Sequence, residues 1–362
     1  MKIKISPSMD SIGGIEHKLL RMSKKTREAY GFDLGDFVSA GNLVLQVAYA
    51  YFPDCFDSAG YVTTNVFSEI QVEIEPTIVE DITMGCDPEF FILDTTTKHL
   101  KNPALYFKKW NKIGYDGLLG EFRPQPHSNP DQVVSYLRDM IMQAKEVVSK
   151  NTAENVSLFA ASSGYNLTAG FHCHMGIPKK FLNKRRLNYK SIISFLVKAL
   201  DYHVGTLSVI PEGDKDNKRR CMPFVSYGKV SDHRIDNRTL EYRVPGGILL
   251  KNPVLSSGLL NLCKLVSTDA LSKVLQLEES YPNKVFDTKD LLKEIYPYVP
   301  STKGLYQLVC TPTTTAAEQE VTTIMTKLED MYNYVEHAKA VKEYLYCMGQ
   351  YDNAQDIYIN WK

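Results

Sequence analysis

The chain has 362 residues, of which 44% are hydrophobic and 23% are charged, and its 42 basic residues equal its 42 acidic residues in number. A chain of this length forms one large domain or two, and either arrangement buries a substantial core. The balanced charge excludes a global electrostatic field that would recruit nucleic acid or an anionic membrane, so neither partner is expected.

The cysteines and the first residues bear on the cellular compartment. The 7 cysteines include no Cys-x-x-Cys pair, which argues against a zinc ribbon and against a disulfide framework. The sequence begins Met-Lys-Ile-Lys-Ile-Ser-Pro, without the apolar run of a signal peptide, and no stretch approaches the ~18 apolar residues of a transmembrane helix. We therefore expect a soluble protein in a reducing cytoplasm.

Residues 1–80 are predicted to form a small β-rich accessory domain. Glycines separate β-rich segments in this part of the chain, which lie at residues 2–5, 43–51, 61–67 and 70–74. The turn at residues 31–36 is typical of the start of a strand in a small β-barrel, so a barrel is the expected shape. The alternative is that these strands extend the sheet of the following domain.

From about residue 81 onward, short strands alternate with helices, which indicates one α+β domain over residues 81–362. Ser128 or Asn129 is predicted to cap a helix that has Pro130 at its first position, and an apolar stripe runs from Val134 to Val148 at helical spacing. Further helices are predicted at residues 190–204, 253–275 and 314–348.

Residues 85–94 read as a β-strand that carries carboxylates where a strand usually has apolar side chains. Asp87 and Glu89 are two residues apart, so both side chains point to one face of the strand. Pro88 and Phe90 point to the other face. Two neighbouring anions repel each other unless a cation lies between them, and a divalent metal ion is the usual solution.

The same two-residue spacing recurs in three later segments. These pairs are Glu121 with Arg123, His172 with His174, and Glu241 with Arg243. If all four segments are strands of one sheet, one face is apolar and the other presents carboxylates, imidazoles and guanidiniums. An ordinary sheet with one solvent face also alternates, but its polar positions are normally rich in Lys, Thr and Ser. We therefore interpret the polar face as functional.

Each pair has its own chemistry. A glycine-bracketed hairpin at residues 114–120 is expected to bring Glu121 beside Asp87 and Glu89, and three or four carboxylates can hold two Mg²⁺ ions. A zinc site at the two histidines would need a third nitrogen or sulfur ligand, and Cys173 points away from them. A mixed carboxylate and imidazole site for Mg²⁺ or Mn²⁺ fits better.

The arginines suggest a phosphoryl group as ligand. Arg243 lies two residues from Glu241 and can clamp a phosphoryl group that the metal also touches, although an ordinary Arg-Glu ion pair is the alternative. Upstream, basic residues surround a stretch rich in Pro, Gly and Asp, which we interpret as a loop over a triphosphate, with a solvated charged loop as the alternative. These residues are Lys218, Arg219, Arg220, Lys229 and Arg234.

Metals, arginines and histidines on one face favour metal-assisted phosphoryl transfer, in which the protein mainly positions the reactants and neutralises charge. The sequence has no Gly-x-x-x-x-Gly-Lys-Ser/Thr loop, which excludes a P-loop enzyme, and no Gly-x-Ser-x-Gly elbow of a serine hydrolase.

These motifs resemble the glutamine synthetase and glutamate-cysteine ligase superfamily of ATP-dependent carboxylate-amine ligases, and most closely its compact phage-type (type-2) branch. Residues 85–93 are similar to the family's first metal strand, and residues 170–176 to its strand with two alternating histidines. Residues 238–245 resemble the strand that ends in Arg-Phe-Pro, and Asn252-Pro253 resembles the helix start after it. The segment from Tyr227 to Arg234 resembles one typical of the phage-type branch.

The resemblance implies an α+β, glutamine synthetase-like domain, whose mainly antiparallel sheet holds metals and ATP on its polar face and helices on the other. It implies that Glu89 and Glu121 hold one metal ion, and that Asp87, His172 and Glu241 contribute to the second. We expect Arg243, Arg234 and Glu121 to be catalytic. The expected nucleotide-binding residues are His174, Arg220, Lys229 and Arg123.

The implied reaction is ATP-dependent phosphorylation of a carboxylate to an acyl phosphate, which an amine attacks to give an amide or peptide bond. The implied cofactors are ATP with Mg²⁺ or Mn²⁺, the implied target is a peptide, a protein or the cell wall, and the implied location is the cytoplasm of a bacterial host. Middle strands of glutamine synthetases present two further acids, where this chain offers Glu121 with Asp116 as a substitute. Residues 1–80 do not match the family, so neither an ammonia substrate nor a ring oligomer is implied.

Two alternative functions stay open. One is a guanidino-type or other small-molecule kinase, which would stop at phosphorylation. The other is a structural or binding protein that has kept a ligase fold without activity, against which the complete set of charged residues argues.

Overall fold

A computed structural model of the chain divides into two compact units, Met1–Asp81 and Ile82–Lys362. In the first unit the structure describes the backbone of residues 2–7, 19–22, 37–40, 43–49, 62–64 and 70–75. In the second unit it describes residues 82–151, 156–178, 181, 189–222, 228–236, 238–281, 284–347 and 356–362.

The described residues of the first unit are strands. Their bounds are β1 Lys2–Pro7, β2 Leu19–Met22, β3 Phe37–Ala40, β4 Leu43–Tyr49, β5 Val62–Thr64 and β6 Ile70–Glu75. The turn predicted at residues 31–36 lies outside the described residues. The barrel and its role as an accessory domain therefore stay predictions.

The second unit is built on an antiparallel sheet with the order β14-β15-β13-β7-β9-β8, in which β10 also pairs with β7. Its strands are β7 Thr83–Asp94, β8 Ile113–Asp116, β9 Leu119–Phe122, β10 Val156–Phe159, β13 Phe171–Gly176, β14 His233–Asp236 and β15 Thr239–Tyr242. A separate short hairpin consists of β11 Ser163–Gly164 and β12 Leu167–Thr168. All four predicted polar strands belong to the large sheet.

Helices cover the apolar face of this sheet. The helices are α1 Pro130–Asn151, α2 Tyr189–Leu200, α3 Thr206–Cys221, α4 Pro253–Ser280, α5 Thr288–Ile295, α6 Thr302–Val309, α7 Thr315–Glu329, α8 Tyr334–Cys347 and α9 Ile357–Trp361. From β7, Met84, Cys86, Phe90 and Ile92 enter the main core together with apolar side chains of α1, α2 and α4. Burial of this surface is the dominant stabilising contribution. The predicted mixed fold, with an antiparallel sheet and packed helices, is confirmed.

Local sequence signals explain several element boundaries. Gly117 has a φ of 56° at the turn between β8 and β9, a conformation that glycine adopts without strain. Asn129 Oδ1 accepts a hydrogen bond from the backbone N–H of Asp131 at 2.9 Å, which supports the start of α1 at Pro130. Asn252 likewise caps α4, where its side chain accepts from the N–H of Val254 at 2.8 Å.

The interpretation of the stretch before β14 as a loop over a triphosphate is wrong for residues 206–221, which form α3. The helix accommodates Pro211 and a left-handed Gly213 (φ 68°) at a kink, and these residues misled the sequence interpretation. A π-helical turn, Asp201–Gly205, joins α2 to α3. The helix predicted at 190–204 is therefore α-helical only as far as Leu200, and its last residues belong to the π-helical turn.

The other helix predictions differ in detail. The helix predicted at 253–275 extends to Ser280, and the stretch predicted at 314–348 is two helices separated near Asn333, which has a φ of 64°. The continuous helical stretch Tyr189–Cys221 meets the length and hydropathy expected of a membrane span, contrary to our reading of the sequence, but 89% of its most apolar window is buried in the unit. A buried core helix meets the same criteria.

Candidate active site

The strand register brings the predicted site residues to one face of the sheet. His172 of β13 lies opposite Asp87 of β7, and His174 lies opposite Glu241 of β15. On the other side of β7, Glu89 lies opposite Glu121 of β9. Directly opposed residues in an antiparallel pair project from the same face.

Asp87 lies between the two histidines. Its Oδ1 is 3.2 Å from Nδ1 of His172 and 3.2 Å from Nε2 of His174. Burial by itself raises the pKa of Asp87, but His174 and His172 outweigh burial and hold the pKa well below its usual range. Burial likewise opposes protonation of the histidines, yet the Asp87 carboxylate raises the pKa of both. The three groups form a charged cluster.

Glu89 and Glu121 form a second, buried pair, with 4% and 7% of their surfaces exposed. Burial raises the pKa of Glu89, and burial followed by the repulsion of Asp87 raises the pKa of Glu121 to about 7. The backbone N–H of Gly170 donates to Glu89 Oε2 at 2.7 Å. Arg123 forms an ion pair with Glu121. Two opposed, buried carboxylates with raised pKa values require a positive charge to be ionised together.

Glu241 is held by both predicted catalytic arginines. Nε and Nη2 of Arg234, on the neighbouring β14, donate to its two carboxylate oxygens at 2.8 and 2.9 Å. Nε of Arg243 lies 3.1 Å from Glu241 Oε1. The Arg-Glu ion pair that was the alternative interpretation is thus present. The Arg234 side chain is 64% exposed, so it has the freedom to leave Glu241 for another anion.

The donor set fits a divalent cation. Asp87, His174 and Glu241 each offer one ligand atom, and these atoms lie within 4.8 Å of one another. The buried pair Glu89 and Glu121 supplies further carboxylate oxygens on the same face. Hard cations such as Mg²⁺ prefer oxygen ligands, and imidazole nitrogen is also acceptable to Mn²⁺. His174, expected at the nucleotide phosphates, belongs to the group that can bind a metal directly.

Arg220 was expected to bind the nucleotide, but the structure places it in the core. Its side chain is fully buried in α3, forms an ion pair with Glu212, and donates to Ser208 Oγ at 3.0 Å. Arg219 is also buried against Glu212 and donates to the carbonyl of Val244 at 3.1 Å. A charged pair that is desolvated in the core cannot be released to a ligand without leaving its partner unpaired. The assignment of Arg220 to ATP is therefore corrected.

The remaining expected residues lie in different environments. Lys229 precedes β14 and is partly exposed, Asp116 is exposed on β8, and Lys218 is exposed on α3. Arg123 is engaged by Glu121 and by backbone carbonyls of Lys109 and Asn111. Tyr227, part of the segment typical of the phage-type branch, lies outside the described residues.

Sequence reasoning recognised one residue that shapes the site only in part and missed another. Gly170 flanks the two histidines and was expected to allow close approach, but its role as a backbone donor to Glu89 was not foreseen. Asp201 accepts hydrogen bonds from the backbone of Ser231 at 2.9 Å and from the Tyr242 hydroxyl at 3.1 Å, so it joins the segment before β14 to β15. A single aspartate inside an apolar helical run was the available signal for it.

The sequence model of the phage phiEco32-like COOH.NH2 ligase-type 2 family matches residues 84–362. No curated protein sequence matches the chain.

Several solved structures are similar to parts of this chain at low sequence identity. GmaS in a complex with ADP matches 79% of this chain and 82% of that chain, with 11% identity and a TM-score of 0.40. A bifunctional glutathione synthetase from Pasteurella multocida matches 73% of this chain and 51% of that chain, with 13% identity and a TM-score of 0.34. The ligase PafA in complex with the prokaryotic ubiquitin-like protein Pup matches 78% and 67%, with 14% identity and a TM-score of 0.38.

The family match covers all four motif blocks, from the acidic strand β7 to the start of α4, and it confirms the resemblance inferred from them. The chain therefore belongs to the phage phiEco32-like COOH.NH2 ligase-type 2 family and is an ATP-dependent carboxylate-amine ligase, an enzyme that forms a carbon-nitrogen bond.

Proposed function

We propose that this ligase forms an amide or peptide bond through an acyl phosphate, on a peptide, a protein or a cell-wall component. The observation that supports the proposal is the convergence of Asp87, Glu89, Glu121, His172, His174 and Glu241 on one face of the sheet, with Arg234 and Arg243 at its edge. In the first step a substrate carboxylate oxygen attacks the γ-phosphorus of ATP and ADP leaves. In the second step an amine attacks the acyl carbon and phosphate leaves.

The carboxylates and histidines of the polar face would hold one or two divalent ions. Glu89 and Glu121 are proposed as ligands of one ion, and Asp87, His172 and Glu241 of the second, with His174 close to the phosphates. Mg²⁺ or Mn²⁺ at these positions would neutralise the phosphate oxygens during transfer. Without a cation, four carboxylates on one partly buried face are an electrostatic cost that only the histidines and arginines offset.

The arginines would stabilise the phosphoryl group in the transition state of its transfer. Arg234 and Arg243 both contact Glu241, so binding of a metal to Glu241 would free their guanidinium groups to meet phosphate oxygens. Donors already positioned where charge develops stabilise the transition state most effectively. Arg243 is more buried than Arg234, which makes Arg243 the fixed donor and Arg234 the adjustable one.

Glu121 is proposed to accept a proton in the second step. The attacking amine must lose a proton as the carbon-nitrogen bond forms, and a base is most effective when its pKa lies near the working pH. The pKa of Glu121 is raised to about 7 by burial and by the nearby Asp87 carboxylate. A divalent ion held by Glu121 would lower this pKa, and Glu121 would then be a weaker base.

The first unit is proposed as an accessory domain, of barrel shape, that recognises the macromolecular substrate. This rests on its β-rich composition and on its separation from the unit that carries the site. A cytoplasmic location is also proposed, and the six described cysteines, all of which are unpaired, are consistent with it.

Metal-dependent nucleotide binding tests the proposed site. Calorimetric titration of a non-hydrolysable ATP analogue is expected to show binding to the wild type in the presence of Mg²⁺, and loss of at least about tenfold in affinity in Glu89→Ala. Glu146→Ala, at an exposed position on α1, is the matched control and should bind like the wild type. Equal binding by Glu89→Ala and the wild type would remove the sheet face from the proposal.

Product analysis distinguishes the alternatives. ADP, phosphate and a new amide identify the ligase reaction through an acyl phosphate. ADP with a stable phosphorylated substrate would instead identify a small-molecule kinase, and absence of nucleotide binding under all conditions would favour a binding protein that has kept the fold.

A further inference from the structure

An exposed basic loop lies beside the candidate site. We define the basic loop as residues 108–112, with the sequence Lys-Lys-Trp-Asn-Lys, and all five residues are exposed. The Trp110 side chain is 81% exposed and has the Lys109 ammonium 5.1 Å from its ring centroid. A tryptophan with this exposure buries a large apolar surface when a partner covers it, and tryptophan is enriched where partners bind most strongly.

The basic loop is held firmly by Arg123. The backbone N–H of Arg123 donates to the carbonyl of Lys112 at 2.8 Å, and its Nη1 donates to the carbonyls of Lys109 at 3.0 Å and Asn111 at 2.9 Å. Arg123 also forms an ion pair with Glu121. One side chain therefore joins the basic loop to a proposed metal ligand, so a partner bound at the loop lies beside the reacting groups.

Gly114 makes this arrangement possible. A Cβ at this position would lie 2.4 Å from Arg123 Nη1 and 2.7 Å from the carbonyl oxygen of Lys109. A side chain at position 114 would therefore separate Arg123 from the loop. The hydrogen bonds to Arg123 hold the loop in one conformation, which lowers the conformational entropy lost when a partner binds.

Charge gives the chemistry of the partner. Lys108, Lys109 and Lys112 contribute three positive charges, and the segment 105–115 contains no acidic residue, although the whole chain has a net charge of +0. An exposed apolar side chain, Leu105, lies in the same segment at 69% exposure. Such a surface favours an anionic chain that also offers apolar atoms to Trp110.

We propose that the basic loop docks an acidic segment of a polypeptide, which carries the carboxylate that the ligase activates. This inference rests on the proposed function, because that reaction needs a carboxylate substrate next to the metal ligands. A polypeptide is favoured over a nucleic acid because the ligase consumes carboxyl groups, which an acidic segment supplies and a nucleic acid lacks. The lysines would pair with its carboxylates while Trp110 packs on its aliphatic atoms.

Direct binding tests the proposal without catalysis. The full chain is passed over an immobilised peptide of alternating glutamate and glycine, in the absence of ATP and metal, and binding is measured by surface plasmon resonance. A peptide of glutamine and glycine tests the need for charge, and a thymidine oligonucleotide of equal charge tests the rival partner. The wild type is expected to bind the acidic peptide more tightly than either, and salt should weaken this binding.

Variants locate the binding surface. The combined change Lys108→Glu, Lys109→Glu and Lys112→Glu is expected to weaken peptide binding by at least about tenfold, and Trp110→Ala by about fivefold or more. The matched controls reverse three exposed lysines elsewhere, as Lys289→Glu, Lys293→Glu and Lys303→Glu, or remove the exposed Tyr346 as Tyr346→Ala. Both controls should stay within about twofold of the wild type.

Several outcomes would overturn the proposal. They are undiminished peptide binding in the basic-loop variants, absence of peptide binding in a natively folded wild type, and tighter, Trp110-dependent binding of the oligonucleotide. Failure of the proposed function would look different, because Mg²⁺-dependent binding of the ATP analogue would then be missing while peptide binding persists.

Discussion

Gly170 contacts two residues of the polar face, Glu89 and His172. Its N–H donates to Glu89 Oε2, and its own Cα lies so close to His172 that an added Cβ would be 2.1 Å from the Nε2 atom of that residue. Glycine is therefore required by the packing of the imidazole. The charged side chains supply the proposed ligands, and Gly170 determines the positions of Glu89 and His172.

We predict that Gly170→Ala weakens Mg²⁺-dependent binding of the ATP analogue by about 10–100-fold, because the new methyl group displaces His172. Gly85→Ala is the matched control, since a Cβ at that position would meet His174 Cβ at 3.5 Å, an ordinary contact. Calorimetric titration of both variants measures the difference. Equal affinity of Gly170→Ala and the wild type would mean that the position of His172 is unimportant for the nucleotide.

Single residues also show where sequence reasoning succeeded. Asp87, Glu89, His172 and Glu241 could be found because their spacing of two contrasts with apolar neighbours, and the strand register then brings them together. Arg220 misled the same reasoning. Its charge suggested a phosphate ligand, whereas its environment is a buried ion pair with Glu212, and burial of this kind has no local signature in the sequence.

Among the elements, the π-helical turn Asp201–Gly205 organises the edge of the site. Asp201 is fully buried there and accepts hydrogen bonds from the backbone and hydroxyl of Ser231 and from the Tyr242 hydroxyl. Ser231 has a φ of 66°, and Arg234 follows three residues later. Such turns often occur at functional sites because they redirect one side chain without ending the helix.

Burial raises the pKa of Asp201 to about 7, from an ordinary value of 3.8. The folded chain thus holds this proton more tightly than the unfolded chain. The stabilising contribution is complete below about pH 4, decreases as the pH rises, and is lost above about pH 7. We predict that the free energy of unfolding of the wild type falls by roughly 2–3 kcal/mol more than that of Asp201→Asn between pH ~5 and pH ~8.

Urea unfolding followed by circular dichroism at several pH values measures this difference. Asp330→Asn, at an exposed position after α7, is the control and should follow the pH dependence of the wild type. Parallel pH profiles of Asp201→Asn and the wild type would show that Asp201 is ionised in the folded chain at all of these pH values.

The elements also show the limits of prediction from sequence. The strands β7, β9, β13 and β15 were recognisable from alternation alone, and α1 and α4 from their caps at Asn129 and Asn252. Helix α3 was not recognisable, because Pro211, Gly213 and several charges are typical of a loop. It is helical because the unit buries its Glu212, Arg219 and Arg220 against the backbone that follows β15 and against neighbouring helices, which is a tertiary effect.

For the whole molecule, the division into two units separates the proposed tasks. Every residue of the polar face and the whole main core belong to Ile82–Lys362. A unit that has its own core can fold independently. The family match begins at residue 84, close to the same boundary.

We predict that a chain of residues 82–362 folds and binds the ATP analogue with Mg²⁺ within about threefold of the full chain, because it retains the complete core and site. Circular dichroism and calorimetric titration check this expectation. The same truncated chain keeps the basic loop but should be less active than the full chain toward a macromolecular substrate. Full activity without residues 1–81 would remove the support for a recognition role of the first unit.

The chain's 2 tryptophans lie in opposite environments, and this gives the molecule two separate optical reporters. Trp110 is exposed on the basic loop, whereas Trp361 is buried and donates its indole N–H to the carbonyl of Leu250 at 2.7 Å. We therefore expect red-shifted emission from Trp110 that iodide quenches, and blue-shifted emission from Trp361 that iodide does not reach. A ligand on the loop would alter the first signal alone, and loss of the native core would alter the second.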